Sequence, residues 1–118
     1  MIKQILLVCA TFFCAINGEA KGQTTTIYGS PNCGEWVTEK GNDRLLSRTW
    51  LIGYMSGINI TWDVTGKKPI ENALSVISST AQVFVWMDNY CRDHPLDKVS
   101  EAGMTLFFEL LDKKRSQR

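Results

Sequence analysis

Cysteine usage constrains this chain more tightly than any other feature of its sequence. Four cysteines are present, and two of them, Cys9 and Cys14, lie in an N-terminal segment that reads as a targeting signal. Met1–Gln4 carries one lysine, Ile5–Ile16 is apolar except for Thr11, and Gly18-Glu19-Ala20 sets small residues where a signal peptidase reads. The apolar run is too short for a permanent membrane span. Residues 1–20 are therefore expected to be a signal peptide cleaved near Ala20, and the mature chain periplasmic or secreted. Val8 and Phe13 precede the leader cysteines where a lipoprotein signal needs a small residue, which disfavours an anchored form. Cys33 and Cys91 remain, an even pair in an oxidising compartment, and one disulfide between them is expected. They lie 58 positions apart, far from C-x-x-C redox spacing. Two thiols and a single histidine also fall short of the ligand set of a structural zinc site.

A chain of 118 residues, 44% hydrophobic and 21% charged, fits one domain with a single small core. Thirteen basic and 12 acidic residues give a net charge of +1, so no charge surplus recommends nucleic acid or an anionic membrane as partner. The basic cluster Lys113, Lys114, Arg115 and Arg118 sits at the C-terminus, where cations complement the carbonyl end of a helix.

Residues 21–32 are rich in Gly, Thr and Pro and predict an irregular arm, with Ile27 and Tyr28 laid on the core. Asn32 predicts the cap of a short helix from Cys33 that puts Trp36 on the cysteine's side and ends at Gly41-Asn42-Asp43. Arg44–Thr61 is the clearest amphipathic helix, with Asn42 or Asp43 as its cap. Leu46, Trp50, Tyr54 and Gly57 form one row and Leu51, Met55 and Ile58 the next, a wide stripe expected to face the core. Each of Gly53 and Gly57 costs about 1 kcal/mol relative to alanine in a helix interior. Close approach of another helix or of a tryptophan ring is the expected reason, with a ligand on bare backbone as the alternative. The Asn59-Ile60-Thr61 sequon lies inside this helix and is read as chance.

Gly66–Pro69 predicts a turn and Ile70–Ile77 a helical turn or loop. Ser79 and Gln82 predict a capping box opening a helix over Thr80–Arg92. Val83, Met87 and either Tyr90 or Cys91 form its inner row, Phe84 and Val85 widen it, and Trp86 is core or rim. Pro95 breaks that helix and predicts another over Pro95–Lys113, with Leu96, Val99, Gly103, Leu106 and Leu110 on one face. Its second half is apolar over more than one stripe, through Phe107, Phe108 and Leu111, and is expected to be buried. The fold class that results is all-α, a small single-domain bundle of three to four helices over residues 33–118, clamped by one disulfide.

No constellation in the sequence names a substrate, a cofactor or a reaction. His94, the only histidine, precedes Pro95 at a helix junction and is expected to be a turn or capping residue, because no serine or cysteine nucleophile pairs with it in a known motif. Glu35, Glu39, Asp63, Asp88, Asp93 and Asp97 show no pair at glycosidase separation. The four tryptophans, Trp36, Trp50, Trp62 and Trp86, read as core bulk before they read as a ligand pocket. Asp88 and Asn89, beside Tyr90, either satisfy helix-end groups or meet a partner. No catalytic residue, metal ligand or cofactor is assigned. Trp50, Gly53, Tyr54, Gly57, Trp86, Asp88, Asn89 and Tyr90 are the candidates for a packing or partner surface.

Cys33 with Trp36, then Trp50-x-x-Gly53-Tyr54-x-x-Gly57, then a helix ending at Cys91 and a helix opening at Pro95, resembles the small periplasmic HdeA/HdeB-like proteins of Gram-negative bacteria. The pattern Gly53-Tyr54-x-x-Gly57 with Tyr90-x-x-x-His94-Pro95 is also similar to Tai-like immunity proteins, which block type VI secreted effectors. The likeness covers about residues 33–110. It implies a disulfide-clamped helical domain without catalysis that binds another protein: a client for a stress chaperone, or, as the alternative, a secreted effector for an inhibitor. A small hydrolase is the third expectation, and a second copy of the chain is a further candidate partner. No acidic cluster is visible in the apolar helices to serve as an acid switch, and the further cysteines common in the immunity relatives are missing here.

Overall fold

The computed structural model describes residues 26–66 and 71–118. The expected leader, its cleavage point, the first part of the arm and the second half of the Gly66–Pro69 turn lie outside the described residues. Four helices follow in order, α1 (Cys33–Thr38), α2 (Gly41–Thr65), α3 (Thr80–Asp93) and α4 (Val99–Ser116), with a 3-10 turn at Ala73–Val76 between α2 and α3. The fold is all-α, and Cys33 and Cys91 are joined, with their Cα atoms 4.7 Å apart.

The start of α1 is fixed twice. Asn32 Oδ1 accepts the Glu35 amide at 2.8 Å, and the Glu35 carboxylate accepts the Asn32 amide at 2.9 Å, a reciprocal box that satisfies two otherwise orphaned donors. The same residues also pair with the turn after α3. Cys33 N donates to Asp97 O at 2.8 Å, Gly34 N to Pro95 O at 3.1 Å and Val99 N to Pro31 O at 3.0 Å, while Ser100 N donates to Ser30 Oγ at 3.1 Å. This pairing surrounds the disulfide, whose two cysteines are fully buried.

The pairing corrects one expectation. Because the carbonyls of Pro95 and Asp97 serve α1, residues 95–98 form a turn, and α4 begins at Val99 instead of Pro95. Leu96 is then 95% exposed and off the core face. Glu101 takes over the capping, its carboxylate accepting the Lys98 amide at 3.1 Å.

Helix α2 turns only one of its two expected rows to the core, that of Leu51, Met55 and Ile58. Ser47, Leu51 and Met55 are its buried row, with Ile58 and Trp62 half-buried beyond them, whereas Leu46 is 68% exposed and Gly57 is exposed. Both stripes are apolar, so periodicity alone does not choose between them. The choice is made by α4, where Gly103 is the close-packed glycine: a Cβ there would lie 3.2 Å from the Tyr54 ring and 3.3 Å from Leu51 Cδ1. At Gly53 and Gly57 a Cβ would meet none of the described residues within 4 Å, so among them the expected helix or tryptophan contact is absent at both. The α2 N-cap is Lys40, reached through Gly41 at φ +58°, not Asn42 or Asp43.

Smaller corrections follow the same logic. Ser79 caps α3 without a side-chain bond, and Gln82 Oε1 accepts instead from the Ser78 amide at 2.8 Å. Ile27 and Tyr28 are exposed rather than laid on the core. The core itself is filled by Leu51, Met55, Met87, Val99, Phe107 and Leu111 around the disulfide. The greasy end of α4 is largely buried through Phe107 and Leu111, with Phe108 left 43% exposed.

Two predictions come from this framework. Opening the disulfide, by reduction or by Cys33→Ser with Cys91→Ser, releases a loop of about 60 residues and should lower unfolding free energy by about 4 kcal/mol in urea denaturation; a change within error would contradict a structural role for the bond. Glu71 has its carboxyl held down to about 2 from the ordinary 4.5, first by hydrogen bonds from Arg115 and Trp62. A depressed carboxylate stabilises the fold fully above its unfolded pKa and loses that contribution as pH falls through the folded one. Glu71→Gln should therefore destabilise the protein at pH 7 and flatten the decline of stability between about pH 4.5 and 2, followed by chemical denaturation at each pH.

Candidate functional site: the open face of helix α2

The face of α2 turned away from α4 carries Leu46, Trp50, Gly53, Gly57, Ile60 and Val64, which alternate at steps of four and three. That is the spacing of a helix seam that meets another helix. Leu46, Ile60 and Val64 are 68%, 63% and 76% exposed, Trp50 is half-buried, and the two glycines bare their backbone. Thr49–Trp62 contains no charged residue, whereas the solvent side of a surface helix ordinarily carries charge.

Two shallow depressions flank the glycines. One, of about 400 Å³, is lined by Ile27, Tyr28, Trp50, Gly53 and Tyr54. The other, of about 460 Å³, is lined by Tyr54, Gly57, Ile58, Trp62 and Met104 among others. Their walls are fixed. Trp50 Nε1 donates to Tyr28 O at 3.0 Å and its ring stacks on Tyr54 at 5.0 Å. Trp62 Nε1 donates to Glu71 at 3.0 Å, and its ring meets the edges of Phe107 and Phe108, each at 5.8 Å. Burial pushes the Tyr54 phenol above its ordinary range.

Trp50, Gly53, Tyr54 and Gly57, four of the sequence candidates, are thus brought together. The other four are not. Asp88 is turned inward, accepting from Trp36 Nε1 at 2.8 Å and pairing with Arg44 at 3.4 Å, so it serves the fold. Asn89 is exposed and accepts from Arg92 at 3.1 Å. Trp86 and Tyr90 form an aromatic ladder with His94, at 5.1 and 4.4 Å between successive rings. Trp86 Nε1 donates to Glu109 at 2.9 Å, and Tyr90 Oη to Asp97 at 2.8 Å. That bond to Asp97, with burial second, pushes the Tyr90 phenol up.

The tryptophans are joints more than core bulk. Only Trp36 is buried, and each of the four indole N–H groups donates to a different segment of chain. Three of the acceptors are carboxylates: Asp88, Glu71 and Glu109. These partners, together with the exposed Ile60 and Val64, were missed in the sequence; the seam spacing of 46, 50, 53, 57, 60 and 64 was the available signal.

His94 N caps α3 on Tyr90 O at 2.9 Å, and its Nδ1 lies 4.0 Å from Asp97, the carboxylate that also accepts from Tyr90 Oη. No group of three or more His, Cys, Asp or Glu positioned for a metal occurs among the described residues. No described helix is long and apolar enough to cross a membrane. Asn59 of the sequon is engaged by the fold, its amide donating to Asn72 at 3.2 Å and its Oδ1 accepting the Leu74 amide at 3.3 Å. No protein-family model, curated protein or solved structure matches this chain.

Since a Cβ added at Gly53 or Gly57 meets none of the described residues within 4 Å, their replacement by alanine should stabilise the isolated chain. Each substitution is expected to add about 0.5–1 kcal/mol in urea denaturation of dilute protein. A loss of similar size would show that the bare backbone is packed after all.

Proposed function

We propose that this chain is an exported, non-catalytic protein-binding domain of the stress-chaperone type, resembling the HdeA-like proteins, and that it binds through the open face of α2. One observation carries the reading: an exposed apolar seam without a single charge, held on a framework clamped by a disulfide. Monomeric soluble proteins seldom expose contiguous apolar surface of this kind unless it meets another protein. Charge complementarity is a principal means of choosing one partner over others. A face that lacks charge selects for apolar surface in general, which suits a holder of partly unfolded clients better than an inhibitor fitted to a single effector.

The indole ties hold the frame behind this face: Trp36 joins α1 to α3 through Asp88, and Trp86 joins α3 to α4 through Glu109.

The test is an aggregation assay with an acid-unfolded client at about pH 3, where free carboxylates are protonated. The wild type should suppress aggregation, Ile60→Asp and Val64→Asp should lose at least half of the effect, and Leu96→Asp, outside the seam, should retain it. No suppression by the wild type would remove the chaperone reading. A stoichiometric complex with one effector in its place would establish the inhibitor.

A further inference from the structure

We propose that the cleft between α2 and α3 binds a medium-chain fatty acid, with the tail in an apolar cavity and the carboxylate on Arg48. The site lies off the open face of α2 and does not depend on the reading of that face. The two helices pass each other in opposite directions at steps of four residues. Arg44 meets Asp88 at 3.4 Å, and one turn on, the Arg48 guanidinium lies over the Phe84 ring at 4.6 Å. A further turn on, at Ile52 and Thr80, the helices part around a cavity of about 260 Å³. Met55, Leu74, Ile77 and Val83 make it apolar, while the exposed Ser79 and Thr80 mark its mouth.

Tail and head are specified separately. An apolar cavity of about 150 Å³ takes a benzene ring, and on that scale 260 Å³ takes about ten carbons. Ile77 and Val83 also wall a second cavity, of about 210 Å³, so a longer chain would have to displace them. Burial favours any aliphatic tail that fills the space, and the charge at the mouth chooses among such tails. Arg48 supplies that charge, about 6 Å from the cavity wall at Ile52, the spacing of residues one turn apart. Its Nε is buried without an acceptor, and it forms no ion pair among the described residues, whereas Arg44 and Arg115 each do. The Phe84 ring compensates a cation only in part, so a guanidinium held in place keeps its attraction for a carboxylate, which it can pair with bidentately. Thr80 opens α3 and shares a face of that helix with Phe84, which sets its hydroxyl and the positive end of the helix on the same side of the mouth. An inorganic anion would use only the head of this site and an alcohol mainly the tail; a fatty acid uses both.

Calorimetric titration of the oxidised chain with sodium decanoate at pH 7 should give one site with a Kd of about 10–100 μM. In the wild type the backbone amide resonances of Ile52, Ser56, Thr80 and Val83 should shift as the ligand is added. Hexanoate, with four fewer methylenes to bury, should bind at least tenfold more weakly. Arg48→Gln should weaken decanoate at least tenfold and leave 1-octanol, which brings a tail without a charge, unchanged. Ser56→Phe, which fills the cavity from α2, should abolish binding of both with the helical signal unchanged. Absence of heat and of amide shifts up to about 1 mM decanoate overturns the proposal. Decanoate binding that survives both Arg48→Gln and Ser56→Phe overturns it too, because the ligand then sits elsewhere. So does binding that is lost with Ile60→Asp and shifts the amides of Gly53 and Gly57, which would place the ligand on the open face.

Discussion

The bond between Cys33 and Cys91 sits where the arm, α1, α3 and the turn before α4 converge, and around it backbone meets backbone. Three amide-to-carbonyl contacts link residues 31–34 with residues 95–99. Buried backbone groups must be paired, so the turn at residues 95–98 cannot become helix without orphaning the first amides of α1. One covalent tie and its hydrogen-bonded surroundings thereby set the entry of α1, the exit of α3 and the start of α4. Helix α2 takes no part in the bond. It is placed by Gly41, by the Arg44–Asp88 contact and by the packing of Leu51 and Tyr54 against Gly103.

A second layer of constraint is carried by the indoles. Trp36, Trp62 and Trp86 each bury part of a large ring and donate the remaining polar hydrogen to a carboxylate on another element. Such a side chain supplies apolar area together with one directional bond, so it fixes the rotation of a helix as well as its distance. Bundles this small have little core to spare. On α2 the Trp62 joint, with the Trp50 bond to the arm, holds the helix in place while one face stays uncovered.

What could be read before the fold was known follows from how local each signal is. The Asn32 cap, the Val83–Met87 row and the pairing of Cys33 with Cys91 are short-range patterns or simple counts, and the structure shows all three. The orientation of α2 was not legible, because two adjacent stripes are both apolar and only the groove offered by Gly103 decides which is inside. Pro95 announced a break in α3 but could not announce that its carbonyl belongs to α1. The indole–carboxylate joints bridge from 9 to 52 positions, and no periodicity carries such a link. The open seam was not legible for a related reason: glycines four apart on an apolar helix read as sites of internal contact, whereas a Cβ at Gly53 or Gly57 meets none of the described residues within 4 Å.

The proposed function depends on what a rigid frame leaves exposed, and the frame is the point to test. Native-state hydrogen exchange of the oxidised protein, read at single amides, does this most directly. The amides of Cys33, Gly34 and Val99 should be protected as strongly as those of Met87 and Phe107, since breaking their bonds would require opening the whole domain. Exchange of those three at the rate of an unstructured chain, while Met87 and Phe107 stay protected, would contradict the account.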